Sequence, residues 1–463
     1  YLFEGLVVFY LMSSGNQKKH SQHPLRKKIL GVVLKGILVI LLLESIVYFG
    51  SNLFLAGIAR QKLNESSDGV YEIGFNRFNL SLLRRGFFLD GIVMKPIHPE
   101  NSKVDQTLFE FTLDEISFSG LWYDFSENEF SVSKIHLDNP NLQLFNLDSS
   151  KVHSTTESPR ESAIKILESE IRKSIRRLSL RGFYVDLIEI DHANFFFFNF
   201  LSQGELSAKN TSIRIYDLDW TTTEDWDTPF NAKGIDFDLD QATFPLPDGV
   251  HTVGSEKVHI SSLEKSVEIL GFSLTPNLKA DSRSYYQVNL ERLRLGNADL
   301  DKAFMTSELE ADELIMDRPV IKVIKSDFAQ SDTIASGDLN DFIQGKLNSI
   351  SIKELSVNDA QFLKENRGDS LKNRIQLDDL DFKMVGFYLG QDQSRKSNQF
   401  FYGDEASMEI TRSKLFLGDG IHILEGNKIS VSSFKDELVV RDLKIYPTND
   451  PLLIRSAKNL VTI

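Results

Sequence analysis

Three stretches of this chain spell variants of one phrase: FNLSLLRRGFFLDGIVMKP at 78–96, VHISSLEKSVEILGFSLTP at 258–276 and ISVSSFKDELVVRDLKIYP at 429–447. Their starts lie 258 − 78 = 180 and 429 − 258 = 171 residues apart. A phrase that returns without gaps at such a distance marks a tandem structural unit, and unit boundaries are read near 78, 258 and 429. Inside each copy runs the pattern apolar-x-apolar-x-x-apolar-x-apolar: Phe87, Leu89, Ile92, Met94; Val267, Ile269, Phe272, Leu274; Leu438, Val440, Leu443, Ile445. Two-residue alternation keeps apolar side chains on one face of a strand. The additional residue in the middle would turn the second half over unless a bulge absorbs it, and bulges bend strands. The same pattern fits Phe130 to Leu137, Phe183 to Ile190, Ile213 to Trp220 and Ile350 to Val357. The expected fold is therefore dominated by β-structure: a long, curved, antiparallel β-groove of tandem repeats with a few short helices, preceded by one amino-terminal transmembrane helix.

Composition supports strands and removes several functions. The 34 Phe among 463 residues, against 12 Pro, suit a strand-rich chain. A formal net charge of −14 argues against a nucleic-acid partner, which needs clustered Lys and Arg. The absence of cysteine removes disulfides, thiolate catalysis and Cys-based zinc sites together.

The stretch GILVILLLESIVYFGSNLFLAGIA, 36–59, is long and apolar enough to cross a bilayer. Lys18, Lys19, Arg26, Lys27 and Lys28 precede it, and only Arg60 and Lys62 follow closely. By the positive-inside rule the amino terminus is cytoplasmic and the bulk of the chain lies across the membrane. The layout reads as a basic tail at 1–28, a single span at 29–59 and a helical connector at 60–77. Repeat units follow at 78–257 and 258–428, and the start of a third at 429–463. The residues ahead of Met12 read as upstream frame, and the third unit as the beginning of one that continues in a longer protein. Glu44 sits within the span, where an ionised carboxylate costs about 2.5–3.5 kcal/mol. Contact with a partner membrane protein and a protonated, tolerated carboxyl are both open readings.

Polar loops at 149–162 and 326–338 each lead into a short amphipathic helix, the first carrying Ile164, Leu167, Ile171, Ile175 and Leu178. Arg172, Lys173, Arg176, Arg177 and Arg181 form a basic stripe there, either a solvated face or a contact for anionic lipid head groups.

The basic tail, the span, the stretch NLFLAGIARQKLNESSDGVYEI, the phrase at 78–96 and FSVSKIHLDNPNLQLF at 130–145 together resemble the AsmA-like proteins. That family is grouped with TamB and the bridge-like lipid transfer proteins of the repeating β-groove class. The resemblance is one of layout, with no catalytic motif. It implies a single-pass protein of a Gram-negative inner membrane, mostly periplasmic, whose groove holds phospholipid acyl chains for transfer or outer-membrane homeostasis. Groove-lining positions on this reading are Phe87, Leu89, Phe130, Val132, Phe183, Val185, Val267, Ile269, Ile350 and Ile352. Phe195 and Phe197 of HANFFFFNF are core packing or lining. Many strands with one apolar face need a cover, which is either a second sheet or lipid; the second sheet would make the chain a non-enzymatic envelope scaffold or assembly factor. No enzyme, metal or cofactor is expected. The Asp236-Phe-Asp238-Leu-Asp240 run lacks the Gly and Glu of a calcium loop, and Asp248-Gly249 and Asp419-Gly420 read as hairpin turns.

Overall fold

A computed structural model describes residues 24–66, 71–97, 108–146, 180–199, 204–221, 231–246, 251–276, 285–325, 347–366, 373–390, 402–419 and 421–448. A long helix, α1 (Pro24–Ser66), opens the chain. β1 (Tyr71–Gly74) follows, and the first repeat then supplies β2 (Arg77–Ser81), β3 (Gly86–Pro96), β4 (Leu108–Ser119), β5 (Trp122–Asp124), β6 (Glu129–Asp138) and β7 (Asn141–Asn146). It continues with β8 (Gly182–Asn199), β9 (Gly204–Thr221), β10 (Ala232–Pro245) and β11 (His251–Ser255). Next come β12 (Lys257–Ser261), β13 (Ser266–Pro276), β14 (Tyr285–Gly296), a short α2 (Leu300–Thr306), β15 (Glu308–Asp317) and β16 (Val320–Lys325). The last elements are β17 (Ser349–Asn366), β18 (Ile375–Gly390), β19 (Glu405–Phe416), β20 (His422–Ser432) and β21 (Glu437–Pro447). All the strands join one 21-stranded sheet. The chain is thus β-dominated behind an amino-terminal apolar helix.

Pairing is antiparallel except where β8 lies parallel to β6 and β7, and β17 parallel to β15 and β16. The sheet is mixed rather than wholly antiparallel. A parallel partner needs a crossover of a dozen residues or more, and the long segments 147–181 and 326–348 provide it. The two expected amphipathic helices fall mainly in these segments, outside the described residues. The expected helical connector is instead the end of α1 followed by β1.

Each copy of the repeated phrase forms a strand, a four-residue turn and a second strand. Ser81, Ser261 and Ser432 accept a hydrogen bond from the amide three residues on, at 3.1, 3.0 and 3.3 Å. The last turn residue, Arg85, Lys265 or Asp436, is left-handed with φ of 46°, 52° and 48°. The double-x positions do absorb the additional residue. Pairing of β3 with β4 passes from Asp90↔Glu115 to Ile92↔Leu113, and of β13 with β14 from Leu270↔Arg292 to Phe272↔Leu290. One residue drops out of both partners, so the apolar face is kept. Gly91, Asp217, Gly271 and Asp442, each the second x of its strand, take φ of 61°, 47°, 62° and 50°. Glycine suits two of these places because a Cβ would overlap the Asn76 side chain at Gly91 and that of Glu256 at Gly271.

Core packing is thin. Its clusters draw their buried members from consecutive strands of the sheet: Val132, Val185 and Leu218 in one, Leu355, Met384 and Ala406 in another. A third gathers Leu295, Ala311 and Ile352 with Ala298, just before α2. Phe75 is the one phenylalanine among the buried apolar side chains of the described residues.

Candidate functional site

The register carries apolar side chains across the sheet in unbroken rows. One row starts at Phe78 in β2 and passes through Leu89, Ile116, Leu137, Ile190 and Ile213 to Phe237 in β10. It goes on through Ile260, Val267, Leu295, Leu314, Leu355 and Met384 to Ala406 in β19. A second row runs beside it from Val258 through Ile269, Leu293, Met316, Val357, Phe382, Met408 and Val431 to Leu438. Directly paired residues point to the same side, so each row is one continuous apolar strip. Aromatic rings widen the strip near its start: Phe87 stacks on Phe118 at 4.5 Å and Phe130 on Phe183 at 5.8 Å.

The residues singled out in the sequence divide between open and filled parts of this face. Phe87, Leu89, Phe130, Phe183, Phe195, Val267, Ile269 and Ile350 are half-buried. Val132 and Val185, each 1 % exposed, and Ile352, 3 % exposed, are enclosed by neighbouring side chains and offer no open surface. The backbone of Phe197 is in β8 opposite Leu206, while its side chain lies outside the described ones. Of the basic stripe, Arg172, Lys173, Arg176 and Arg177 lie outside the described residues. Arg181 is ion-paired with Glu127 at 2.9 Å across the turn between β5 and β6, which occupies its charge within the fold.

Glu44 finds its partners within the chain. Its carboxylate accepts from the Ser81 hydroxyl at 2.6 Å and from the amides of Leu82 and Leu83 at 2.9 and 3.1 Å. Further along α1, the Ser51 hydroxyl accepts from the Leu80 amide at 2.9 Å and the Asn52 side chain from the Phe78 amide at 3.1 Å. Phe78, Leu80 and Leu82 are the alternate, outward-facing donors of an edge strand. Three polar side chains of α1 satisfy them, and so a helix closes the first edge of the sheet. In the next repeat the equivalent hydroxyl, Ser261, donates to Asp236 of β10 at 2.6 Å. Glu44 therefore does for β2 what a neighbouring strand does for β12. Nothing in the local sequence around Glu44 signals this, because its partner lies 37 residues away.

The opposite, polar face is dense in paired charge. Asp236, Asp238 and Asp240 bond to Ser261, His259 and Asn210 rather than to open solvent alone. Among the described residues, His136, Glu189 and Asp191 bring potential metal-ligating atoms within 4.8 Å of one another. Lys134 and Arg214 already neutralise that group. The hydrogen bond from Lys134 holds the Glu189 carboxyl below its usual range, and Arg214 sits 3.3 Å from it. His251 is buried and accepts from the Tyr286 amide at 3.0 Å, tying β11 to β14, and Asp419 bonds the His422 ring at 2.6 Å within the turn between β19 and β20, so both histidines are occupied in the fold.

No family model matches this chain, and no curated protein does. Two solved structures show a slight likeness at 9 % identity. The sex pheromone staph-cAM373 precursor has a TM-score of 0.13, with 72 % of this chain and 88 % of that one covered. A sex pheromone precursor from Lactobacillus salivarius has a TM-score of 0.11, with 65 % and 73 % covered. Scores this low do not indicate a common fold.

Proposed function

We propose that this chain is a membrane-anchored, non-enzymatic lipid carrier, in which the apolar rows hold phospholipid acyl chains along a trough open on one side. The observation that carries this reading is the continuity of the row from Phe78 to Ala406, together with the half-buried state of its members from Phe78 to Val267; Leu295, Leu355, Met384 and Ala406 beyond them are buried. The buried clusters join strand to adjacent strand, and none joins facing sheets. A scaffold sealed protein against protein would bury its phenylalanines, whereas here most of the face keeps partial access. Each CH₂ removed from water stabilises by about 0.8 kcal/mol, so an acyl chain laid on such a strip is held without recognition of its head group. That property suits a conduit along which lipid moves.

α1 anchors the carrier. Its segment Val33–Gln61 is long and apolar enough to cross a membrane, and nearly all of its apolar side chains are exposed. The basic residues before it orient the amino terminus to the cytoplasm and the sheet to the periplasm. The resemblance to AsmA-like proteins supports the same placement in an inner membrane, with phospholipid movement towards, or homeostasis of, the outer membrane as the role.

Native mass spectrometry of the full chain, released from mild detergent, tests the proposal. Phospholipid adducts that survive purification are expected, in numbers that fall when a charge interrupts the strip. A chain that emerges free of lipid from a lipid-rich extract would return the scaffold reading to first place.

A further inference from the structure

The bonds between α1 and the first strands place the helix and the strand edge side by side and in opposite directions. Glu44 meets Leu82, and Arg60 meets the Phe75 carbonyl at 2.8 Å. Between them lie 60 − 44 = 16 helical residues, about 24 Å, and 82 − 75 = 7 extended residues, about 23 Å. The two lengths agree, so the alignment holds along the contact. α1 consequently leaves the sheet at the turn between β2 and β3. Beyond that turn its apolar part runs from Ile29 to Leu43, 43 − 29 + 1 = 15 residues or roughly 22 Å, with Arg26, Lys27 and Lys28 ahead of it, so filling the roughly 30 Å hydrocarbon thickness of a bilayer draws the turn itself into the leaflet. The turn end of the first strands faces the membrane.

That end presents exposed apolar and basic side chains together. Leu82 and Leu83 are 52 % and 59 % exposed and are followed by the exposed Arg84 and Arg85. The carbonyls of these two arginines accept from the amides of Gly120 and Leu121, which ties the turn to the start of the next hairpin. There Trp122 is 59 % exposed and Phe125 88 % exposed.

The other two copies of the phrase show what the turn itself requires. All three keep the serine that caps the turn and the left-handed fourth residue. At the four turn positions the first copy reads Leu-Leu-Arg-Arg, the second Ser-Leu-Glu-Lys and the third Ser-Phe-Lys-Asp. Ser262 and Ser433 in the later copies bond the neighbouring strands at Ile235 and Ala406. The first copy has α1 in that place, and it alone replaces the serine with leucine and both charged positions with arginine. Turn geometry does not demand those changes. Apolar side chains backed by two cations and an adjacent Trp match the boundary between acyl chains and phosphate head groups.

We infer that the turns Leu82–Arg85 and Trp122–Phe125 form a collar that enters the lipid leaflet at which α1 emerges, seating the mouth of the apolar strip in that leaflet. The first row begins just behind the collar at Phe78 opposite Leu89, and between it and the turn Leu80 pairs with Phe87 and Phe87 with Phe118. The inference rests on α1 spanning the membrane and is independent of whether the strip carries lipid.

The cysteine-free chain allows a clean test. Val39→Cys, Leu83→Cys, Phe125→Cys and Phe244→Cys, the last at the opposite end of β10, are each spin-labelled in the full chain. The chains are then reconstituted into phosphatidylethanolamine–phosphatidylglycerol vesicles. The expected ratio of oxygen to nickel-chelate accessibility at 83 and 125 is several-fold above that at 244 and approaches that at 39. Labels at 83 and 125 that match 244, while 39 reports lipid, overturn the collar and leave the anchor standing. A water-exposed label at 39 overturns both. Quenching of Trp122 by brominated lipid, with Trp220 and Trp226 replaced by Phe, reads the same contact without a label; unquenched emission contradicts the collar.

Discussion

Ser261 shows how one hydroxyl closes a repeat. It is fully buried, accepts from the Glu264 amide and donates to Asp236, which also accepts from the Tyr216 hydroxyl at 3.0 Å. Ser261→Ala removes a bond to the charged Asp236 carboxylate together with the turn's amide bond, and a loss of about 1–3 kcal/mol is expected, read as a lower denaturant midpoint at unchanged slope. Asp419 gives a residue-scale pH dependence. The His422 ring, and then the amides of His422 and Ile421, hydrogen-bond its carboxyl and hold it at about 2 against the ordinary 3.8. A depressed carboxyl contributes stability that is present above 3.8 and lost as pH falls through about 2. Carbon NMR of the Asp419 carboxyl is expected to titrate near 2, with the Ile421 and His422 amides losing protection over the same window; a midpoint near 3.8 would remove the contribution. The serine turns and the turn at Asp419 were legible because their bonds span two or three residues, whereas Asp248-Gly249 lies outside the described residues. The ties of Asp236 to Ser261 and of Glu44 to Ser81, 25 and 37 residues long, were not.

At the scale of elements, α1 acts as a substitute strand. A sheet edge left with free amides invites pairing with other chains, and α1 removes the invitation with Glu44, Ser51 and Asn52. Hydrogen exchange tests this directly: the Phe78, Leu80 and Leu82 amides should exchange slowly in the full chain. The Ser51→Ala/Asn52→Ala pair is expected to speed exchange at Phe78 and Leu80 while leaving β12 and β13 unchanged. Equal protection in both proteins would mean that something other than α1 closes the edge. Periodicity identified the strands and the interruptions within them, because the repeat of apolar positions is a local record of which face is covered; at β3/β4 and β13/β14 a residue skipped on both strands takes the place of the expected bulge. It did not identify the parallel pairings of β8 and β17. A strand with one apolar face reads alike whether its neighbour runs with it or against it.

Across the whole molecule, the rows work only if every strand is in register. A slip of one residue in any strand would turn its rung of the strip to the polar face. The left-handed residues Gly91 and Gly271 keep that register, because one residue drops out of both paired strands there and the apolar face continues unbroken. Ile269 is a half-buried rung of the second row, between Val258 and Leu293. Ile269→Asp is expected to leave the β-type circular dichroism spectrum intact and to reduce retained phospholipid several-fold. A variant that keeps its lipid would show that this row does not hold acyl chains.

The sequence by itself determined the local alternatives: strand over helix, where the alternation of each strand is interrupted, where the chain turns, and which helix is apolar enough for a membrane. These follow from spacing along the backbone, which steric limits translate directly into conformation. Only the tertiary structure decided the direction of β8 and β17, the role of Glu44 as an edge cap, and the enclosure of Val132, Val185 and Ile352 beside open rungs such as Ile269. Those outcomes depend on which distant segments meet, and contacts between distant segments leave no period in the chain.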